Sequence, residues 1–222
     1  MFDLIKLLMS GLFKISKGNI KVFGMDMGFL PISYIYLFTK EYLLKDKDTR
    51  TKFYFLGWSS GLIIMRRFEE ETKIEDPKES YLYGMDLASF MGFGEFKTLE
   101  YSIGDFALFE IPNNPLIKYF YPSKEPVDYF ISAFQAGGGS VAHRNVIENL
   151  EIECGAVTGK PSCLLLNATI KEHKKRKTYK ELEKRINVKK ILPFQREVFK
   201  MHKRGLNDDE ILRRVEEILE LL

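Results

Sequence analysis

Glu151-Ile-Glu-Cys154-Gly-Ala-Val-Thr-Gly-Lys-Pro-Ser-Cys163 carries both cysteines of the chain, nine positions apart across a Gly/Lys/Pro turn, with a carboxylate three residues before the first. Residues 146–153 and 164–169 on its flanks read as strands, so the stretch predicts a hairpin with the thiols facing each other near its closed end. Two thiolates and a carboxylate suit zinc, which in structural sites takes four tetrahedral ligands; a fourth must come from elsewhere. Two buried thiols packing as small apolar groups, or a cross-strand disulfide, are the other readings of the same pair. Glu151 and Cys154 would point to opposite faces of an ideal strand, so bringing both to one site requires a bulge or a strand end.

Upstream, residues 96–102 and 106–111 read as a second hairpin joined at Ile103-Gly104-Asp105. Helix-like apolar density runs over 27–44 and 49–71, separated by the charged turn Lys45-Asp-Lys-Asp48, and again over 79–91. Gly57 and Gly61 stand four apart on one helical face, which lets a neighbouring helix backbone come close. Gly92-Phe93-Gly94 reads as a turn, because it lacks the strand-then-helix setting of a dinucleotide fingerprint. A further helix opens at Pro126 and runs to Ala136, where Gly137-Gly138-Gly139 is expected to end it. The two hairpins give an α+β fold: an antiparallel four-stranded sheet with helices packed on one face, plus a C-terminal helical hairpin.

With 222 residues, 45% hydrophobic and 14% aromatic, the chain can bury a substantial core. The organisation expected is a main domain over 1–170 and a basic linker with a helical extension over 171–222. The apolar run 1–13 is interrupted by Asp3 and Lys6 and falls short of the ~20 residues a spanning helix needs. It has no basic start or cleavage site either, so a cytoplasmic protein is expected, with no membrane partner. Two cysteines in a chain of this length do not suggest a disulfide framework. Lys and Glu abound while glutamine is confined to Gln135 and Gln195, a bias of thermophile proteins.

The formal net charge of +3 is unevenly spread. Basic residues dominate 171–222, and the run His173-Lys-Lys-Arg-Lys177 raises an acidic partner or nucleic acid as a question. In the tail, Gly205 ends a helix that starts at Pro193, and Asn207 with Glu210 forms a capping box flanked by Leu206 and Ile211. Ile211, Val215, Ile218 and Leu222 fall on one helical stripe that needs burial. As a recognition helix this element would open with Asp208, Asp209 and Glu210, which repel phosphate, so nucleic acid is not the expected partner.

The segment Pro126-Val127-Asp128-Tyr129, followed 23 residues after Asp128 by Glu151 and then by Cys154 and Cys163, resembles the 4-vinyl reductase domain. This family is also described as a hydrocarbon-binding domain, found alone and as the sensory module of aromatic-responsive regulators. Its zinc-binding members show a proline-valine-cysteine-histidine helix start, a glutamate, a cysteine three later, a short Gly-containing turn and a last cysteine. Asp128 occupies the place of the first cysteine, and the gap between Cys154 and Cys163 is one residue longer than the family's. The resemblance covers about residues 20–170 and implies a zinc site of Asp128, Glu151, Cys154 and Cys163, with His143 as a reserve ligand.

It also implies a homodimer whose aromatic-rich interior receives a small hydrophobic ligand, for which Trp58, Phe90, Phe130 and Phe134 are the candidate lining residues. The family is similar in fold to haem-nitric-oxide sensor domains and to trafficking-complex subunits. His143, His173 and His202 are not placed as haem ligands, so haem is not expected. No nucleophile beside a base, no paired catalytic carboxylates and no nicotinamide or flavin motif appear, which favours a binding module over an enzyme. The alternatives are a tetrapyrrole vinyl reductase component drawing its reductant from a partner, and a structural assembly subunit.

Overall fold

A computed structural model describes residues 11–16, 19–28 and 30–222; most of the apolar N-terminal run lies outside them. The sheet has the order β4-β5-β7-β6, built from β4 (Lys97–Ser102), β5 (Phe106–Pro112), β6 (Glu148–Glu153) and β7 (Ser162–Ala168), all antiparallel. Each expected hairpin forms, and they join through β5 and β7, with Phe109 opposite Leu165 and Ile111 opposite Cys163. On this face Ala107, Phe109, Ile111, Cys163 and Leu165 are buried.

Against that face lies α5 (Tyr129–Ala142), tied to the sheet where Asn167 Nδ2 donates to Gln135 O at 3.2 Å. It does not stop at Ala136. Gly137 and Gly138 continue it against α2 (Lys47–Thr72), where Gly137 meets Trp58 and Leu62 and Gly138 meets Gly61, while Gly57 meets Ala133 and Gly139 lies against Asn167 and Ile147. Close approach of two helix backbones, foreseen for Gly57 and Gly61, thus claims Gly137 and Gly138, which local propensity would spend on a stop. α2 is capped by Asp46, whose carboxylate accepts from Asp48 N and Thr49 N, and ends at Lys73 in the left-handed region, φ +57°. α3 (Pro77–Phe90) follows, capped by Asp76 with Pro77 at its first position.

A small meander precedes these helices: β1 (Phe13–Ser16), β2 (Asn19–Val22) and β3 (Met25–Met27), antiparallel in that order. It was not read from the sequence, where Met27 seemed to open a helix. The helix instead begins after Pro31 as α1 (Ile32–Phe38) and continues as a π-helical turn over Thr39–Leu43. Very short strands carry too little period to declare themselves. The remaining short helices are α4 (Ile117–Phe120), α6 (Gly155–Thr158), α7 (Ile170–Lys175) and α8 (Tyr179–Arg185).

The C-terminal pair is α9 (Val188–Lys203) and α10 (Asp208–Leu221). α9 begins five residues before the expected Pro193, capped by the Asn187 side chain, and holds Pro193 in its interior. Asn207 and Glu210 form the capping box of α10, and Ile211, Val215 and Ile218 are buried in one cluster with Phe55, Leu62 and Phe68 of α2. The acidic start of α10 is an anchor: Asp208 pairs with Arg66 and, at 2.6 Å, with Arg67. Among the described residues no helix is long and apolar enough to cross a membrane.

Glu148 opens β6 fully buried, taking a hydrogen bond from Gln195 Nε2 of α9 at 3.3 Å, while its carbonyl meets His173 Nε2 at 3.2 Å. Burial pushes its carboxyl up to about 7, against the hydrogen bonds from Tyr54 and Gln195 that favour the charged form. A carboxyl raised in the folded state contributes stability that is complete below its ordinary 4.5 and is lost as pH rises through about 7. Glu148→Gln should therefore leave stability unchanged in acid and raise it above neutrality by up to about 3 kcal/mol. Urea unfolding of both proteins across this range checks the sign; a difference constant with pH would show that Glu148 is not the titrating group.

Candidate metal centre and apolar cavity

Three elements converge on the cysteine hairpin. β6 carries Glu151, and a register shift between Glu151 and Glu153 supplies the required bulge: Ile152 turns outward while Glu151 is held inside. The chain then turns through α6, capped by Cys154, and returns as β7 with Cys163 near its start. Gly159 has φ +77°, which closes that turn. Asp128 is the N-cap of α5, so the start of that helix points its carboxylate at the hairpin.

All four side chains are at most 2% exposed. One ligand atom each from Glu151, Cys154 and Cys163 lies within 4.8 Å of the others; Asp128, the expected fourth ligand, is not in that group. Both cysteines are free thiols. Glu151 Oε2 accepts from the backbone N–H groups of Val127 and Asp128, each at 3.1 Å, which fixes α5 against β6. Asn114 Nδ2 donates to Asp128 Oδ2 at 2.5 Å, and Gly155 N donates to Cys163 Sγ at 3.3 Å. The other oxygens, Asp128 Oδ1 and Glu151 Oε1, are buried without a hydrogen-bond partner.

Four acids packed together out of water must retain protons. Burial, then the Cys154 charge, pushes Glu151 up to about 8, and burial with the neighbouring Glu151 charge raises Asp128. A hydrogen bond from the Cys163 thiol pulls Cys154 down to about 6, while that bond and burial push Cys163 up. A divalent cation would replace those protons and engage the two unpartnered oxygens. Glu151, Cys154 and Cys163 therefore suit a zinc-sized ion, with Asp128 beside them as a nearby fourth carboxylate and with Asn114, Val127 N, Asp128 N and Gly155 N orienting these side chains from behind. Asn114, in the turn before α4, was missed in the sequence; its only signal there is an Asn-Asn-Pro turn.

His143 is not brought to this cluster. It caps the far end of α5, roughly 20 Å along the helix axis from Asp128 at 1.5 Å per residue, packed against Tyr81 and Tyr101 with ring centroids 5.7 and 5.0 Å away. Burial there pushes its pKa down to about 4. The sequence order that put it between helix and hairpin gave no hint of the helix's direction.

Phe90, Phe130 and Phe134 do come together, on the wall of a cavity of about 220 Å³ between α2, α3, α5 and the meander. Phe13, Val22, Phe23, Met25 and Met27 close it from the meander side. Every side chain of its lining is a hydrocarbon, a phenyl ring or a thioether. Trp58 lies outside this lining: fully buried, it donates its indole N–H to Ser140 Oγ and Ile147 O, each at 3.2 Å, and packs parallel to Phe55. It sits on the face of α2 turned toward β6, which spacing alone cannot distinguish from the cavity face.

No family profile matches the sequence, and no curated protein matches it. Among solved structures, the phenol-responsive sensory domain of the transcription activator PoxR, determined with phenol, superposes with a TM-score of 0.64 at 18% identity, covering 81% of this chain and 98% of that domain. The chain has the fold of that sensory domain. A vinyl-4-reductase family protein from Methanocaldococcus jannaschii gives a TM-score of 0.43 at 20% identity, over 64% of this chain and 82% of its own.

Proposed function

We propose that the chain is a binding domain for a small apolar ligand, braced by a structural zinc ion at Asp128, Glu151, Cys154 and Cys163. The observation that carries this reading is the cavity. Its volume of about 220 Å³ exceeds the roughly 150 Å³ at which an apolar engineered cavity already admits benzene. Its size favours a compact, single-ring or short-chain compound over a drug-sized one. Among the described residues no lining side chain offers a hydroxyl, amide or charge, so a ligand's polar group would be buried without a partner from them, costing about 1–3 kcal/mol. Met25, Met27 and Met91 supply adjustable walls.

The metal and the cavity share α5. Asp128 stands at its N-terminus, and Phe130 and Phe134 line the cavity within the next two turns. Holding the helix start to the hairpin holds the wall of the cavity in place. Four protein ligands leave no open position for an activated water, so the ion's role is structural. The PoxR domain provides an architectural precedent, since its description names phenol as the compound to which it responds.

Thermal unfolding with toluene, ethylbenzene and phenol tests the reading. Toluene and ethylbenzene should raise Tm, with phenol about tenfold weaker for want of a partner for its hydroxyl. Leu87→Trp, which fills the space beside Phe90, should abolish the shift. If all three compounds leave Tm unchanged, or Leu87→Trp still responds, the cavity is not a ligand site and an assembly role takes its place.

A further inference from the structure

A second concave site is lined by residues other than those of the apolar cavity. A groove of about 550 Å³ runs between α9, the start of α7 and the two turns at Asp105 and Asn145. Its apolar members, Val146, Ile170, Leu192 and Phe199, are buried or half-buried and form a floor. Lys171, Arg196, Lys200 and Lys203 line the same groove, are exposed and form a rim. Arg196, Lys200 and Lys203 recur at helical spacing on one face of α9, so their charges converge.

These cations differ from others on the same tail. Arg176 pairs with Glu172, Arg185 with Glu181, and Arg214 with Glu197 and Glu217, whereas none of the four rim cations has an ion-pair partner among the described residues. Lys203 Nζ lies 4.9 Å over the Phe199 ring, at the edge of the floor. The neutral polar groups are already committed. Asn145 donates to Gly104 O and accepts from Val146 N, while the Thr169 hydroxyl accepts from Glu172 N. Asp105 is the one carboxylate among the lining residues, on the β4–β5 turn rather than on α9, where Arg196, Lys200 and Lys203 stand.

We propose that this groove binds a small amphiphilic anion, an alkyl or aryl chain bearing a carboxylate or phosphate, with the chain on the Val146, Ile170, Leu192 and Phe199 floor and the anionic head against Arg196 and Lys200. The neutral polar groups of the lining are already hydrogen-bonded, and four cations face a single carboxylate, Asp105, so the groove favours an anion. The volume falls within the range of small-molecule sites, roughly 300–1,000 Å³, and is far larger than an inorganic ion needs. A nucleic acid would ask for exposed rings on which bases stack, but Phe199 is 6% exposed. The site is independent of the apolar cavity, with which it shares no residue.

Calorimetric titration of the full chain with decyl phosphate, kept below its micelle concentration, tests the assignment against inorganic phosphate and a thymidine oligonucleotide. Decyl phosphate should bind, and should bind about tenfold or more weakly to R196E/K200E, while K78E/K118E, the same charge change elsewhere, leaves it unaltered. Both altered residues of the first variant are exposed, so its melting temperature should match the parent's and confirm the fold. Four results overturn the proposal: no binding by the parent; undiminished binding by R196E/K200E, which places the amphiphile elsewhere; inorganic phosphate binding as tightly, an adventitious ion only; or oligonucleotide binding lost in that variant, which makes the groove a nucleic-acid surface.

Discussion

Gly137→Ala should destabilise the protein by about 3 kcal/mol or more and lower Tm by about 6–12 °C, while Gly138→Ala, one residue on, should be neutral or stabilising by up to about 1 kcal/mol. The difference lies in what each added methyl would meet. A Cβ on Gly137 would collide with Trp58 O and come within 2.7 Å of Trp58 C and 2.8 Å of Leu62 N, all backbone atoms of α2 that cannot swing aside. On Gly138 it would find Gly61 O at 3.7 Å and Met65 Cβ at 3.8 Å, which are ordinary contacts. Alanine also favours the helix at both positions, so only the collision separates them. Equal Tm values for the two variants would mean that α5 and α2 do not approach backbone to backbone. Were the glycines a loop, the two substitutions would behave alike.

Removing the proposed zinc is expected to rank beside that loss. Protein prepared without chelator should carry one zinc per chain, and both chelation and Cys163→Ser should lower Tm by about 10 °C or more, since binding a structural zinc contributes several kcal/mol to folding. Glu153→Gln on the same hairpin supplies the comparison. Glu153 meets Lys160 at 2.7 Å in a solvent-exposed pair, worth about 0–1 kcal/mol. Because α5 starts at Asp128, the metal-free protein should also lose the Tm response to toluene in part, which ties the two sites. Zinc-free protein with full stability, or Cys163→Ser no worse than Glu153→Gln, would reduce the cluster to four protonated side chains packed together.

Much of the sheet was legible because its signals are local. Both hairpins announce themselves through turn residues at Gly104 and Gly159, and the three-residue spacing of Glu151 and Cys154 requires a bulge or a strand end; the register shift at Ile152 supplies a bulge. The capping box at Asn207 and the stripe of Ile211, Val215 and Ile218 were read for the same reason, since each depends on residues within two helical turns.

Other features depended on partners distant in sequence. Gly137 to Gly139 end a helix by local propensity, yet continue one here, where Trp58 and Leu62 of α2 lie against Gly137, Gly61 against Gly138, and Asn167 of β7 against Gly139. Trp58 and Phe134 are equally aromatic and equally helical, but only Phe134 faces the cavity. His143 sits between Asp128 and Glu151 in the chain and at the other end of α5 in space. The sequence by itself determined the α+β class, the paired hairpins and the capping of the tail. Tertiary structure alone decided the run of α5 through its glycines, the wall of the cavity and the gathering of Lys171 with Arg196 and Lys200. Local patterns follow from backbone periodicity and turn chemistry, whereas which faces meet is set by packing between segments far apart in the chain.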